Sequence, residues 1–168
     1  MPVLIYDGSS AVGAFALEFA KLSNLNPIIT VAGSGADFVK SLGAADHIVD
    51  YRKGNVVEDI KKILADKDLK LHHAFDAICE HQSWVHITDV LDKEGFQPSK
   101  INMVDPPEPI FQWPLGIEFS RTFASSAYGV GHNFRSEEEL AQDRDFAYVF
   151  YRYGSKSVLT KKTEVDSA

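Results

Sequence analysis

Along this chain, short runs of apolar residues alternate with segments whose apolar positions recur at helical spacing. "VLIYD" (3–7) is the first run. Behind a glycine turn, "AVGAFALEFAKL" (11–22) predicts a helix with Phe15, Phe19 and Leu22 along one face. "NPIITVAG" (26–33) is a second run, and "ADFVKSLGA" a short helix carrying Phe38, Val39 and Leu42, with Gly43 at its C-terminal cap. "HIVDY" (47–51) predicts a third strand and "NVVEDIKKILAD" (55–66) a helix with Val56, Ile60 and Ile63 on one face. "HHAFDAIC" (72–79) is a fourth strand, and "SWVHITDVLDKEG" (83–95) a helix ending near Gly95. "KINMV" (100–104) and "TFASSAYG" (122–129) supply two further strands. A last helix runs through "SEEELAQDRDFAYVFYRYG", N-capped by Ser136, with acidic residues suited to its positive end.

Strands without polar alternation, separated by amphipathic helices, predict a parallel sheet covered on both sides: a doubly wound, three-layer αβα architecture with right-handed crossovers. "VDPPEPIFQWP" (104–114) interrupts the alternation and reads as a loop, because its prolines cannot feed a central ladder. The segment from 155 to 168 reads as a loosely ordered tail, leaving 1–154 as the folded domain.

Composition narrows the function more than the fold. A net charge of −7 argues against nucleic-acid and anionic-membrane surfaces, and no apolar run is long enough to span a bilayer. One cysteine, Cys79, excludes an internal disulfide and fits a reducing, cytoplasmic setting. The six histidines and Cys79 show no recurrent metal-ligand spacing, so no metal site is expected.

The candidate chemistry begins at the first glycine turn. Against the dinucleotide pattern G-x-G-x-x-G, this chain reads Gly8-x-Ser10-x-x-Gly13. Gly8 suits the tight turn, and Gly13 lets the helix lie close to the strand. Ser10 replaces the middle glycine and offers a hydroxyl to a phosphate oxygen, while the N–H groups opening the helix face the anion. A plain strand–turn–helix corner is the alternative, and the turn's place at the first of five alternating units argues against it. At the end of the second strand, NAD binders carry an acid for the ribose hydroxyls. Here "VAGSGADFVK" has none before Asp37, which disfavours NAD and a methyltransferase alike. Ser34, Lys40 and Tyr51 are candidates for a 2′-phosphate, against the plainer reading of Lys40 as a solvated helix lysine and Tyr51 as a half-buried strand end. Together with the missing acid they favour NADP(H).

"VLIYDGSSAVGAFALEFAKL", "PIITVAG", "FVKSLGAADHIVDYRKGN", "AFDAICE" and "YGVGHNF" make the chain, over roughly residues 2–152, resemble the medium-chain dehydrogenase/reductase superfamily. The resemblance is strongest to its fungal zinc-free branch of ToxD-like oxidoreductases and trans-acting enoyl reductases. It implies a Rossmann-type cofactor domain and metal-free reduction of enoyl, quinone or carbonyl substrates by NADPH. It also implies that the turn Ser9, Ser10, Ala11, Val12 lies beneath the pyrophosphate, and that Lys40 and Tyr51 meet the adenosine phosphate. Ile78 and Cys79 would run past the nicotinamide ribose, with Met103 and Val104 near the nicotinamide ring. The family's N-terminal catalytic domain is expected to be absent from these residues, so that the fragment alone turns over little. A pairing of two copies through an edge strand such as "TFASSAYG" is a further expectation. Asp7 departs from the resemblance: relatives carry Gly or Ala there, and a carboxylate beside a pyrophosphate costs affinity unless it points away or pairs.

No catalytic residue emerges. No tyrosine is followed by lysine four positions later, and Cys79, His81 and His86 read as packing or hydrogen-bonding residues before proton carriers. Trp113, Phe119 and Phe123 read first as core and loop cover, and second as an acyl pocket. The non-catalytic alternative is a nucleotide-sensing or partner-binding module.

Overall fold

A computed structural model describes residues 1–105, 112–121, 124–130 and 136–165, with the backbone alone from 153 onward. The chain divides into two compact units, Met1–Thr122 and Phe123–Ala168.

In the first unit, β1 (Val3–Tyr6), β2 (Ile28–Ala32), β3 (His47–Asp50), β4 (His73–Asp76), β5 (Ser99–Met103) and β6 (Ile117–Arg121) form one sheet in the order β3-β2-β1-β4-β5-β6. Every neighbouring pair is parallel, as the doubly wound reading requires. Helices α1 (Ala11–Leu22), α2 (Ala36–Leu42), α3 (Val56–Asp66) and α4 (Ser83–Val90) make the crossovers. The strand pleat sorts the core into two layers. Val3, Ile5 and Ile28 pack with Leu17, Ala20 and Val39 of α1 and α2. Leu4, Tyr6, Ile29 and Val31 pack with Ile60 and Leu64 of α3 and Ile87 of α4.

Three expectations are corrected. Phe15, Phe19 and Leu22 do not form the inward face of α1: Leu17 is 0% exposed, whereas Phe15 is 62% and Leu22 65% exposed. Glu18 and Lys21 are the only charged residues of this helix, so its apolar spacing fits two faces equally well, and contact with Val3 and Ile5 selects the smaller set. The sixth strand is Ile117–Arg121, not 122–129; Ala124–Tyr128 forms a 3₁₀ helix in the second unit. Gly116 (φ +83°) turns the chain directly into β6, and the buried Ile117 pairs with Ser99. Among the described residues the sheet therefore ends on β6, and Ala124–Tyr128 contributes no strand to it. In α3, Leu64 rather than Ile63 completes the buried stripe.

The second unit holds that 3₁₀ helix and α5 (Glu137–Val165), which continues past Gly154 where the sequence pattern fades. At its start the Ser136 hydroxyl accepts from the Glu139 N–H at 3.3 Å, and the Glu139 carboxylate accepts from the Ser136 N–H at 2.7 Å. That reciprocal pair is a capping box.

Candidate functional site

The carboxyl ends of β1 and β4 are adjacent, and the strand order reverses there. In open α/β sheets that crevice is where ligands bind. The chain leaves β1 through Asp7, which adopts φ +60°, a left-handed conformation that favours glycine and tolerates Asp or Asn. Gly8 follows with no room for a side chain: a Cβ there would stand 2.3 Å from Thr30 Oγ1 and 2.8 Å from Leu17 Cδ1. Ser10 is the N-cap of α1; its hydroxyl accepts from the Gly13 N–H at 3.0 Å. The same hydroxyl donates to the Asp7 carbonyl at 3.0 Å. Its single proton is thus directed inside the turn, at the Asp7 carbonyl. Gly13 lies so close to the strand end that an added Cβ would fall 2.0 Å from the Asp7 carbonyl oxygen. This packing leaves the N–H groups of Ala11 and Val12 at the exposed first turn of the helix with no acceptor among the described residues.

A second turn abuts the first. A Cβ on Gly35 would meet Ser9 Cβ at 2.4 Å, so the loop after β2 rests against the loop after β1. Tyr51, just beyond β3, lies over Gly33, where a Cβ would come within 2.4 Å of its ring. Ser34 and Tyr51 are therefore brought to the same corner, both exposed. Lys40, exposed on α2, is turned toward Asp37 at 3.2 Å. Arg52 clamps Asp50 through Nε at 2.8 Å and Nη2 at 2.6 Å. That bond holds the Asp50 carboxyl down to about 2.

On the other side of β1, Asp76 closes β4. It is fully buried, and its carboxylate accepts from Ser83 Oγ at 2.5 Å, the Ile78 N–H at 3.2 Å and the Cys79 N–H at 2.9 Å. Burial raises its pKa despite those three donors. The bonds hold a loop in which Cys79, His81 and Gln82 all have φ between +51° and +62°. Cys79 Sγ accepts from the Asp105 N–H at 3.2 Å, and the Val104 N–H donates to the Asp76 carbonyl at 3.2 Å. Ile78, Cys79, Met103 and Val104 are thus gathered at the ends of β4 and β5. Met103 itself is fully buried in the core. Burial pushes the Cys79 thiol up to about 11, which keeps it protonated and poorly nucleophilic.

Sequence reasoning missed Tyr6 and Asp76; His86, read as a hydrogen-bonding residue, is the partner of Tyr6. The Tyr6 hydroxyl and His86 Nδ1 share a hydrogen bond of 2.8 Å across β1 and α4, and burial, with the charge of Asp76 second, pushes the phenol up to about 12. An acid inside the otherwise apolar run "AFDAIC" (74–79) was the available signal for Asp76. Trp113 stacks on Phe119 with centroids 4.8 Å apart, and Phe119 is exposed; Phe123 lies outside the described residues.

Sheet order, switch point and helix-opening turn together define a Rossmann-type domain. The sequence profile of the zinc-binding dehydrogenases matches residues 11–143, and the chain belongs to that family. It is 37% identical over 133 residues to the trans-enoyl reductase fsr4 of Gibberella fujikuroi, a match covering 76% of this chain and 38% of that protein. A dual trans-enoyl reductase/FAD-dependent monooxygenase, tazHJ of Aspergillus terreus, is 29% identical over 168 residues, covering 98% of this chain and 23% of that one. Among solved structures, the Escherichia coli quinone oxidoreductase complexed with NADPH superposes with a TM-score of 0.60 at 16% identity, over 91% of this chain and 45% of that chain. The CurK enoyl reductase gives 0.63 at 17% identity, over 91% and 44%. The chain thus spans less than half the length of these relatives.

The residues fit one of the groups this family name implies and not the other. The unbonded amides of Ala11 and Val12, above glycine contacts that hold helix to strand, suit a diphosphate. Among the described residues, no three His, Cys, Asp or Glu side chains are placed to hold a metal ion, so they do not fit zinc. No helix among the described residues is long and apolar enough to cross a membrane.

Proposed function

We propose that this chain is the NADP(H)-binding domain of a metal-independent oxidoreductase of the enoyl, quinone or carbonyl reductase type. The observation that carries the reading is the opening of α1 at the switch point, with Ala11 and Val12 exposed and their amides without an acceptor among the described residues. The turn Ser9–Val12 receives the diphosphate, while Gly8 and Gly13 provide the close packing that sets the turn. Ser34, Lys40 and Tyr51 meet the 2′-phosphate, Lys40 by exchanging the solvated Asp37 carboxylate for the ligand's phosphate. The loop at Ile78 and Cys79, tied down by Asp76, borders the nicotinamide ribose, and the Met103–Val104 segment lies near the ring. When bound, the cofactor supplies the hydride. The protein's part is to orient it and exclude water.

Support for NADPH over NADH is the missing acid after β2 together with the corner formed by Ser34 and Tyr51. Membership of the family, and relatives named as trans-enoyl reductases, support reduction of an activated double bond. We place the protein in the cytoplasm, on its single unpaired cysteine. A pairing of two copies belongs on the outer edge of β6, where Glu118, Phe119 and Ser120 are exposed. Fluorescence of Trp84 and Trp113 tests the reading. Saturable quenching by NADPH, with weaker binding of NADH, supports it. A folded sample whose emission and thermal midpoint ignore both coenzymes refutes it.

A further inference from the structure

The phosphate turn already holds an anion of its own. Ser9 Oγ donates to Asp7 Oδ1 at 2.8 Å, so, with the Ser10 proton directed at the Asp7 carbonyl, the turn's other hydroxyl proton points at a carboxylate. That carboxylate stems from the residue that leads into Gly8 and whose carbonyl touches Gly13. Three other titratable groups face it electrostatically or lie one step away. Asp76, across the β1–β4 boundary, is raised in part by the charge of Asp7; Tyr6 is raised by both carboxylates; His86 shares the Tyr6 hydroxyl bond. None of the three is a cation paired with Asp7, and no salt bridge to Asp7 exists among the described residues.

The geometry points to Asp7 as the residue that sets cofactor affinity: its carboxylate competes with the incoming diphosphate for the Ser9 hydroxyl and for the positive opening of α1. This rests on the cofactor reading above and adds a specific weakening to it. A diphosphate that enters the turn must take the Ser9 proton away from Asp7 and lie beside the displaced charge, with buried Asp76 adding repulsion from the next strand. The effect is confined to ligands that carry the diphosphate. An adenosine 2′-phosphate bound at Ser34, Lys40 and Tyr51 has no group to place in this turn.

Asp7→Asn separates charge from shape, because Asn keeps the side-chain size and tolerates the left-handed backbone. Asp7→Gly supplies the residue best suited to φ +60° and also removes the charge. Dissociation constants for NADPH and for 2′-AMP are measured by titration calorimetry on the wild type and both variants, with circular dichroism to establish folding. Both variants are expected to bind NADPH about tenfold more tightly, with 2′-AMP unchanged within about twofold, the scale of one nearby charge removed. Equal or weaker NADPH binding by Asp7→Asn, beside a wild type that binds, overturns the inference and leaves the cofactor reading standing. A parallel gain for 2′-AMP overturns it too, because the change would then not be diphosphate-specific. Absence of NADPH binding by all three folded proteins removes the cofactor reading and this inference together.

Discussion

The carbonyl oxygen of Asp7 occupies the space that a side chain on Gly13 would need, 2.0 Å from the position of its Cβ. The contact is between backbone and backbone, so neither partner can swing aside. It draws the first turn of α1 onto the end of β1, and it is the reason the Ala11 and Val12 amides stand at the mouth of the switch point. Gly13→Ala must push helix and strand apart. We expect a loss of about 1–3 kcal/mol in stability, the usual cost of overpacking, and at least tenfold weaker NADPH binding. Urea unfolding and cofactor titration of the same sample check both.

The corner at Gly33, Ser34 and Tyr51 is predicted to read the 2′-phosphate. Lys40→Ala is expected to weaken NADPH about fivefold and leave NADH within twofold, as loss of one charge-assisted contact would. Tyr51→Ala uncovers Gly33 and should lower the same NADPH/NADH ratio. Equal losses for both coenzymes would place these residues outside the phosphate corner.

Two carboxylates give the stability a pH dependence of opposite signs. Asp76 titrates higher folded than unfolded, so just above the ordinary carboxyl value of about 4 the native state holds more protons and stability falls as pH rises. Asp50 is held at about 2 by Arg52; its contribution is complete above about pH 4 and disappears as pH falls toward 2. Asp76→Asn should therefore flatten the decline above about pH 4 and leave the acid-side loss in place. Chemical unfolding across about pH 2–7 measures both limbs.

Cys79 is predicted to be a slow thiol. Held up to about 11 by burial, it should react with iodoacetamide near pH 8 about a hundredfold more slowly than a free cysteine. Alkylation at the free-thiol rate would mean that the Asp76-anchored loop is open.

Much of this was legible in the residues, and the failures share a cause. Strands such as "VLIY" and "IITVA" are buried on both faces, so their continuous apolar character leaves no other placement. The glycine turn was readable because Gly8 and Gly13 answer to sterics that do not depend on distant packing. Helix α1 was misread for the opposite reason: with Phe15, Leu17, Phe19 and Leu22 all apolar, only contact with Val3 and Ile5 decides which side turns inward. The sixth strand was displaced because the serines of 122–129 and the compact "GIEFSR" compete on propensity alone, and pairing with Ser99–Met103 chooses between them. Ser10 was rightly placed in the turn, but its proton is claimed by Asp7, a local bond that the pattern does not encode. Asp76 and Tyr6 escaped notice because their roles depend on partners in α4, seven and eighty residues away.

The central claim is that the amides opening α1 hold a dinucleotide's diphosphate. The most direct measurement is a titration of isotopically labelled protein with NADPH, followed in amide proton–nitrogen spectra. The account predicts saturable shifts concentrated at Ser9, Ala11 and Val12, with a second group at Ser34 and Tyr51. Binding that leaves the Ala11 and Val12 amides unmoved, or a folded protein with no shifts at all, would contradict it.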